Sequence, residues 1–490
     1  MKRTSILRAL APISVMVAAF CLSAAGAQQA PNLSQQTDSG TPIQPLGPLP
    51  DGSAPSGAVG QSNAPVPGQT QPDTHVLSGV ETLGLTSLRR LGHTFDPVLE
   101  ASEFGETGIE AGKTVSATNF GGSLDTVHNW SRYNLTVTYN GAESIYHPSY
   151  YYGIHNLPYQ KGAISQQVWL GRWTLLVRDD LFYSWGPAFG SLFAGGPAAD
   201  QSGSLANVQP SLKSGATIQT AFARELSNSS MAEIDFAPTR RTTLTLVGSF
   251  ADLHFLQAGY ISNESVTGRV GYNYALSAKN NIALTYDRNQ VTYIGASNRL
   301  ATDLLQMTFG RKVTGRLALQ IAAGPQLLHL YNFASAQGQE LSWSASGSLS
   351  YHLRRTGYSI SYFRGVTPGS GVFFGSRGQT ITVTANHEFT RFWSASVHGG
   401  YALNNALAPT AGFVGRFDNW YTGADLSRSI GRKLHVGLSY GFEEQLSGAG
   451  SCPVSTCGLG HPFSQYGITV QWHPFLGRSA QERPASGVAQ

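Results

Sequence analysis

Residues 465–475 read QYGITVQWHPF, and the fold follows from how they alternate. Tyr466, Ile468, Val470 and Trp472 fall on one side of an extended chain, and Gly467, Thr469, Gln471 and His473 on the other. The period is two, so one face is apolar and the other polar. An aromatic at each end of the apolar face fits a strand that crosses a bilayer with lipid on one side and water on the other. A single such segment would fit a soluble sandwich equally well. Here the pattern recurs about every twenty residues through the second half of the chain, the spacing of successive membrane-crossing strands.

Composition agrees. Charged residues make up 12% of the 490, about half the usual ~25%, while hydrophobic residues stay at 41%. There are 56 Gly, 21 Tyr and 23 Phe. No long apolar run follows residue 30, which argues against membrane-spanning helices. The net charge of +4 is spread along the chain without a basic run, so nucleic acid is not an expected partner.

Residues 1–27 read as an export signal: Lys2, Arg3 and Arg8, an apolar stretch over 10–22, then Ala25-Gly26-Ala27 as the cleavage site. Phe20 stands before Cys21 where a lipoprotein signal needs a small residue, so lipidation is set aside. Residues 28–74 are dominated by Pro, Gly, Ser, Gln and Ala and are expected to be disordered. Residues 75–94 are transitional and 476–490 a polar tail. Cys452 and Cys457 lie in SGAGSCPVSTCG, where an even pair in an exported chain suggests a disulfide; free thiols or half a metal site are the alternatives.

Between these ends, paired two-faced segments are joined by very short turns. Segments 266–276 and 282–291 flank SAKN, 304–313 and 317–328 flank TGR, and 342–353 and 358–364 flank RRTG. Likewise 380–389 and 393–403 flank TRF, and 421–430 and 434–443 flank GRK. Earlier pairs are 117–129 with 133–141, 164–170 with 173–181, and 232–238 with 242–251. Long connections separate the pairs, at 142–163, 182–230, 252–265, 292–303, 329–341, 365–379, 404–420 and 444–464. Eight hairpins give sixteen strands. The last strand, 465–473, returns to the short-turn side and needs a partner there, for which 95–105 (FDPVLEASEFG) is the candidate. The expectation is an all-β, antiparallel up-and-down transmembrane barrel over 95–475 with eighteen strands, or sixteen if 95–105 lies outside it.

The polar faces supply the candidate lumen lining. It comprises Ser344, Ser346 and Ser348; Thr382, Thr384 and Glu388; Ser396 and His398; Thr469 and Gln471; Gln306, Lys312 and Gln320; and the charged Glu233, Asp235, Arg269, Asp287 and Asp425. Hydroxyls and amides with charges of both signs hold water without a strong field, whereas an ion-selective pore shows a ring of one sign. This suits weakly selective passage of small polar solutes; the alternative is hydrated filling around a closed lumen. The 182–230 connection is the longest, and it either folds into the lumen or caps the mouth. SIYHPSYYYGIHNLPYQ (144–160) is an aromatic-dense connection of the kind that stacks on sugars or proteins.

No nucleophile elbow, P-loop, H-E-x-x-H or EF-hand loop is present, and the His residues are scattered. Ser396 and His398 lie side by side on one strand face and do not face each other, so no enzyme, cofactor or metal is expected.

The segments RWTLLVRDDLFYS (172–184), KVTGRLALQIAAGPQL (312–327), RRTGYSISYFRGVTPGSGVF (354–373), FWSASVHGGYA (392–402) and QYGITVQWHPF carry a resemblance to bacterial outer-membrane β-barrel proteins. The chain looks most like large porin-like barrels, including those associated with exopolysaccharide systems. The resemblance covers about 95–475. It implies residence in the outer membrane, insertion by the assembly machinery, and small polar solutes or a polysaccharide as cargo; the alternative role is an export-associated or structural barrel closed without a partner. One departure is that Phe475 is followed by a polar tail, where such barrels commonly end on an aromatic.

Overall fold

Thr242–Phe255 shows why these segments become strands. Thr243, Thr245 and Val247 are buried, while Leu244 and Leu246 between them, and Phe250 beyond, are exposed. An apolar side chain exposed at every second position is stable only where the solvent on that side is itself apolar. The computed structural model describes residues 92–107, 114–130, 132–150, 154–186, 223–277, 279–314, 316–333, 338–369, 371–408, 414–431, 433–448 and 462–474.

Within them the chain forms eighteen strands and no helix. They are β1 Gly92–Thr107, β2 Thr114–Asn129, β3 Tyr133–Tyr150, β4 Ile154–Leu170, β5 Trp173–Gly186 and β6 Ala223–Thr239. Then come β7 Thr242–Phe255, β8 Asn263–Ser277, β9 Asn280–Tyr293, β10 Arg299–Lys312, β11 Leu317–Tyr331 and β12 Gly338–His352. The last six are β13 Thr356–Thr367, β14 Ser376–Glu388, β15 Trp393–Ala406, β16 Arg416–Ile430, β17 Leu434–Ser447 and β18 Phe463–Trp472. Each pairs antiparallel with its sequence neighbours, and β1 pairs with β18, so the sheet is one closed ring.

Eighteen strands is the number expected from the sequence, and 95–105 is the partner of the last strand. The long connections are shorter than expected because the strands run further. The stretch 142–163 is not a loop: β3 continues to Tyr150 and β4 begins at Ile154, with Ser116 to Asn129 of β2 paired against Asn134 to His147. Thus most of the aromatic-dense 144–160 stretch is a hairpin in the wall. The connection 365–379 shrinks in the same way to 368–375. Beyond the hydrocarbon layer both faces meet water, the apolar alternation fades, and backbone pairing continues without a side-chain signature. The expected export signal, residues 28–74, the suggested Cys452–Cys457 disulfide, the polar tail and 187–222 within the longest connection lie outside the described residues.

The outer face carries an apolar band. Leu246, Val270, Leu284, Met307, Ile321, Val383, Val397, Leu438 and Ile468 are exposed along its middle. Trp173, Tyr351, Tyr358, Trp393 and Trp472 edge it at the short-turn end, and Phe120, Tyr286, Trp343, Tyr401 and Trp420 edge it toward the long-connection end. Trp343 and Tyr351 lie eight residues apart on β12. At ~3.3 Å per residue and ~40° of tilt this is about 20 Å along the barrel axis, close to the height of a transmembrane barrel's apolar band. Above the band the outer face turns polar: Asp303 accepts hydrogen bonds from Tyr286 (2.6 Å) and Arg288 (3.0 Å), and Arg416 pairs with Asp418.

The closing ladder runs from Leu99↔Trp472 to Thr107↔Ser464. Two aromatic rings pin it, one on each face. Phe104 lies over Gly467 inside, where an added Cβ would meet its ring at 2.0 Å. Tyr466 lies over Gly105 outside, with the corresponding distance 2.4 Å. The pairs Phe104↔Gly467 and Gly105↔Tyr466 are adjacent in the register. Glu106 accepts from Gln465 (2.7 Å) and Glu100 from Gln471 (3.1 Å) on the inner side.

Two outcomes follow. Truncation after residue 460 leaves β17 and β1 as open edges, so no heat-modifiable, membrane-inserted species forms; a stable inserted truncation would disprove the closure. Gly467→Val evicts Phe104 and destabilises the barrel by about 1–3 kcal/mol, seen as a lower midpoint for loss of heat-modifiable migration. Gly248→Val, with open space around its Cβ, is the neutral control.

Candidate functional site

The inner face is built by alternate residues of every strand, and all the expected lining positions fall on it. Glu233 and Asp235 are buried on β6, and Asp235 accepts from Thr245 Oγ1 at 2.6 Å. Arg269 of β8 forms an ion pair with Asp287 of β9, the residue opposite it in the ladder. Thr382 and Thr384 hydrogen-bond Ser361 and Ser359 across β13–β14. Gln320, Ser344, Ser348 and Thr469 are buried, Gln306 and Ser346 half-buried, and Gln471 holds Glu100. Glu388 sits opposite Ser394 near the short-turn end, and Lys312 is exposed at the foot of β10.

Ser396, His398 and Asp425 do meet. Asp425 accepts from Ser396 at 2.9 Å and lies 3.7 Å from His398 Nδ1. The carboxylate therefore stands between Ser and His, whereas nucleophile activation places the imidazole between Ser and Asp. The other edge of the ring packs on Gly423, where a Cβ would lie 2.3 Å from Nε2. This arrangement anchors β15 to β16 and presents polar edges to the lumen.

Two features of the inner face emerge only in three dimensions. The first is its charge. Glu106, Glu233, Asp235, Asp287 and Glu443 are buried there, against Arg178 and the partly covered Arg269. Arg178 is already paired with Asp180 at 2.7 Å, and Asn419 donates to Glu443 at 2.7 Å. The balance among these described groups is acidic. Ser348 Oγ, Thr380 Oγ1 and Gln326 Oε1 are buried without a hydrogen bond to described protein groups.

The second is a constriction at the long-connection end. The described part of the β13–β14 connection, 368–369 and 371–375, turns into the ring and packs on inner faces from both sides. Tyr293 of β9 donates to Pro368 O at 3.2 Å, and Ile261 N to Gly371 O at 2.8 Å. Leu407 N reaches Gly375 O at 3.1 Å. Phe374 meets Tyr293 edge-on at 5.1 Å between ring centroids, and Phe373 packs on Phe417 at 5.5 Å. Behind them, Val291, Leu300, Leu328, Leu330, Phe333 and Leu407 form a buried cluster. On the β7 side Tyr260 stacks on Phe255, and burial holds its phenol above the usual pKa. The turn needs glycine at 371, with φ +74° and the Phe255 ring 2.2 Å from where a Cβ would stand.

The sequence reading expected a constriction, if any, from 182–230. Among the described residues the constriction is formed by the β13–β14 connection, where TPGSGVFFG carries an apolar Val-Phe-Phe run between glycines that has little reason to sit in a solvated connection, while 187–222 lies outside the described residues.

A closed antiparallel ring, apolar outside and polar within, is a transmembrane β-barrel, since only closure satisfies every backbone group of a sheet in lipid. No protein-family model and no curated protein matches the sequence. Among solved structures, it is similar to several proteins of Pseudomonas aeruginosa, including one described as the outer membrane protein OpdK. OpdK is 11% identical with a TM-score of 0.41, covering 78% of this chain and 98% of that one. OccK2 (OpdF) in complex with glucuronate is 10% identical with a TM-score of 0.43 over 78% and 98%. OprD is 10% identical with a TM-score of 0.38 over 78% and 94%. At these values the likeness bears on neither solute nor partner.

Gly371→Val strains a left-handed backbone by about 1–2 kcal/mol and drives Phe255 aside. The expected result is several-fold faster chymotrypsin cleavage at Phe373–Phe374 in the folded barrel. An unchanged rate would show that 368–375 is not held by this packing.

Proposed function

We propose that this chain is a porin-like channel of the bacterial outer membrane that passes small polar solutes through a hydrated lumen narrowed at one mouth by 368–375. The carrying observation is the division of faces: Leu246, Met307 and Leu438 exposed outside, against Thr245, Thr308, Gln320 and Thr469 turned inward. Lipid of that membrane is then its surrounding, and the assembly machinery its route of insertion. The sequence suggested weak selectivity. The acidic balance of the inner face supports a preference for cations and neutral solutes over anions, because like-charged solutes meet repulsion in a lumen of reduced dielectric.

One observation favours a second reading, in which the barrel is closed until a partner or an exported polysaccharide opens it. The mouth is packed by fully buried apolar groups, Leu328 at 0% and Phe333 at 1% exposure, and an apolar constriction gates by excluding water.

Planar-bilayer recording separates the two. For the channel, the refolded protein gives steady steps, a reversal potential in a salt gradient displaced toward the cation, and steps about twofold larger when 368–375 is shortened to Ser-Gly-Gly. If the intact protein is silent and only the shortened variant conducts, the closed reading stands. Silence of both, with heat-modifiable barrels, rejects the channel.

A further inference from the structure

The ring is not equally stitched all the way round. β11 pairs with β12 up to Leu330↔Gly338, and β13 with β14 up to Thr367↔Ser376. Between β12 and β13 the ladder stops at Ala345↔Arg364. Above that rung β13 parts from β12, while β14 stays paired with β15 as far as Ser376↔Ala406, and Val366 packs against the inner cluster around Leu328 and Leu330. The constriction at the mouth and the split in the wall thus share one cause.

The split holds a cavity of about 190 Å³ lined by Ser342, Trp343, Arg364, Arg377, Gln379 and Asn405. This is well above the ~10–15 Å³ that a single water needs, and leaves room for a phosphate group. Two guanidinium groups meet there. Arg377 reaches across the split to Glu340. Arg364 lies 3.9 Å over the ring of Trp343, and among the described residues no carboxylate pairs with it. Trp343 is 48% exposed on the outer face, at the edge of the apolar band.

Register fixes what lies next to these cations. Arg364 is opposite Gln379; two residues toward the membrane centre Tyr362 is opposite Ile381, and two further Ile360 is opposite Val383. Leu349 pairs with Ile360 on the other side. Leu349, Ile360, Ile381 and Val383 are all exposed, so an apolar stripe runs down the outer wall directly beneath the charged cleft. A cation at the edge of hydrocarbon without a protein counter-ion is a liability unless the surroundings supply an anion, and a guanidinium pairs with phosphate oxygens in bidentate fashion.

We propose that the cleft between β12 and the β13–β14 hairpin binds the phosphate of a membrane lipid, with Arg364 and Arg377 on the headgroup, Trp343 at its edge and an acyl chain along the Ile360–Ile381–Val383 stripe. The proposal rests on the membrane placement of the barrel and not on whether the lumen conducts.

The full chain, in a neutral detergent micelle doped with equal amounts of phosphatidylglycerol and phosphatidylcholine, is examined by native mass spectrometry. The wild type should retain one phosphatidylglycerol in preference to phosphatidylcholine, and Arg364→Gln should reduce that retention about tenfold, as expected for loss of a charge-assisted pair. Glu340→Gln, which releases Arg377, should raise it, so the idea remains testable even if the Arg364 variant folds poorly. Equal retention of both lipids, or retention unchanged in both variants, overturns the proposal. Displacement of the lipid by millimolar inorganic phosphate would assign the site to a free anion and overturn it as well. Retention that persists in phosphate supports the lipid.

Discussion

A strand in hydrocarbon has no water to satisfy an unpaired backbone N–H or C=O, so every strand of this chain depends on the ring being shut. That demand falls on the nine-rung ladder between β1 and β18, whose strands are separated by most of the sequence. The seam is held by more than backbone. Phe104 covers Gly467 on the inside and Tyr466 covers Gly105 on the outside, so each strand supplies one ring and one gap. A slip of one residue would part each ring from its glycine, setting Phe104 opposite Tyr466 in one direction or Ile468 in the other, and exchange the lipid and water sides of β18. The glycines therefore act as register marks, because only a residue without Cβ leaves room for a neighbouring ring to lie flat on the sheet.

Closure has a second consequence. A ring has an inside, and side chains there are hidden from lipid whether or not they face open water. Polar groups are therefore placed in pairs across the strands: Arg269 with Asp287, Asp235 with Thr245, Glu443 with Asn419, Asp425 with Ser396. Such cross-strand pairs lower the cost of burying a charge and tie neighbouring strands at the same time. The excess of carboxylates over guanidinium groups gives the inner face its character, and the 368–375 segment narrows its mouth.

That segment also links two features that are far apart in kind. By turning inward it packs Phe373 and Phe374 at the mouth, and it draws the upper ends of β13 and β14 out of line with β12. Backbone pairing lost at the split is replaced there by side-chain contacts, Arg377 with Glu340, Arg364 with Trp343, and Ser344 Oγ with Arg364 O at 3.0 Å. A barrel wall can open locally in this way only near the rim, where polar groups find water or headgroups; the same gap at the height of Val383 would leave unpaired amides in hydrocarbon.

The period-two alternation in segments such as 465–473 and 380–389 sufficed to establish strand identity, the even strand count, the partner of the last strand and the assignment of Thr382, Gln320 and Thr469 to the inner face. These are properties of a strand and its immediate solvents, and a strand carries them wherever it is placed. Strand ends were less legible, as at 142–163, because both faces are polar beyond the membrane and alternation loses its meaning. The constriction left only the Val-Phe-Phe run of 372–374 as a trace in the sequence, and the meeting of Ser396 and His398 at Asp425, the acidic balance and the split beside β12 were decided by the tertiary structure alone. Each depends on which residues the ring brings across from one another, and that distance is set by closure and by the path of 368–375, not by any local pattern in the chain.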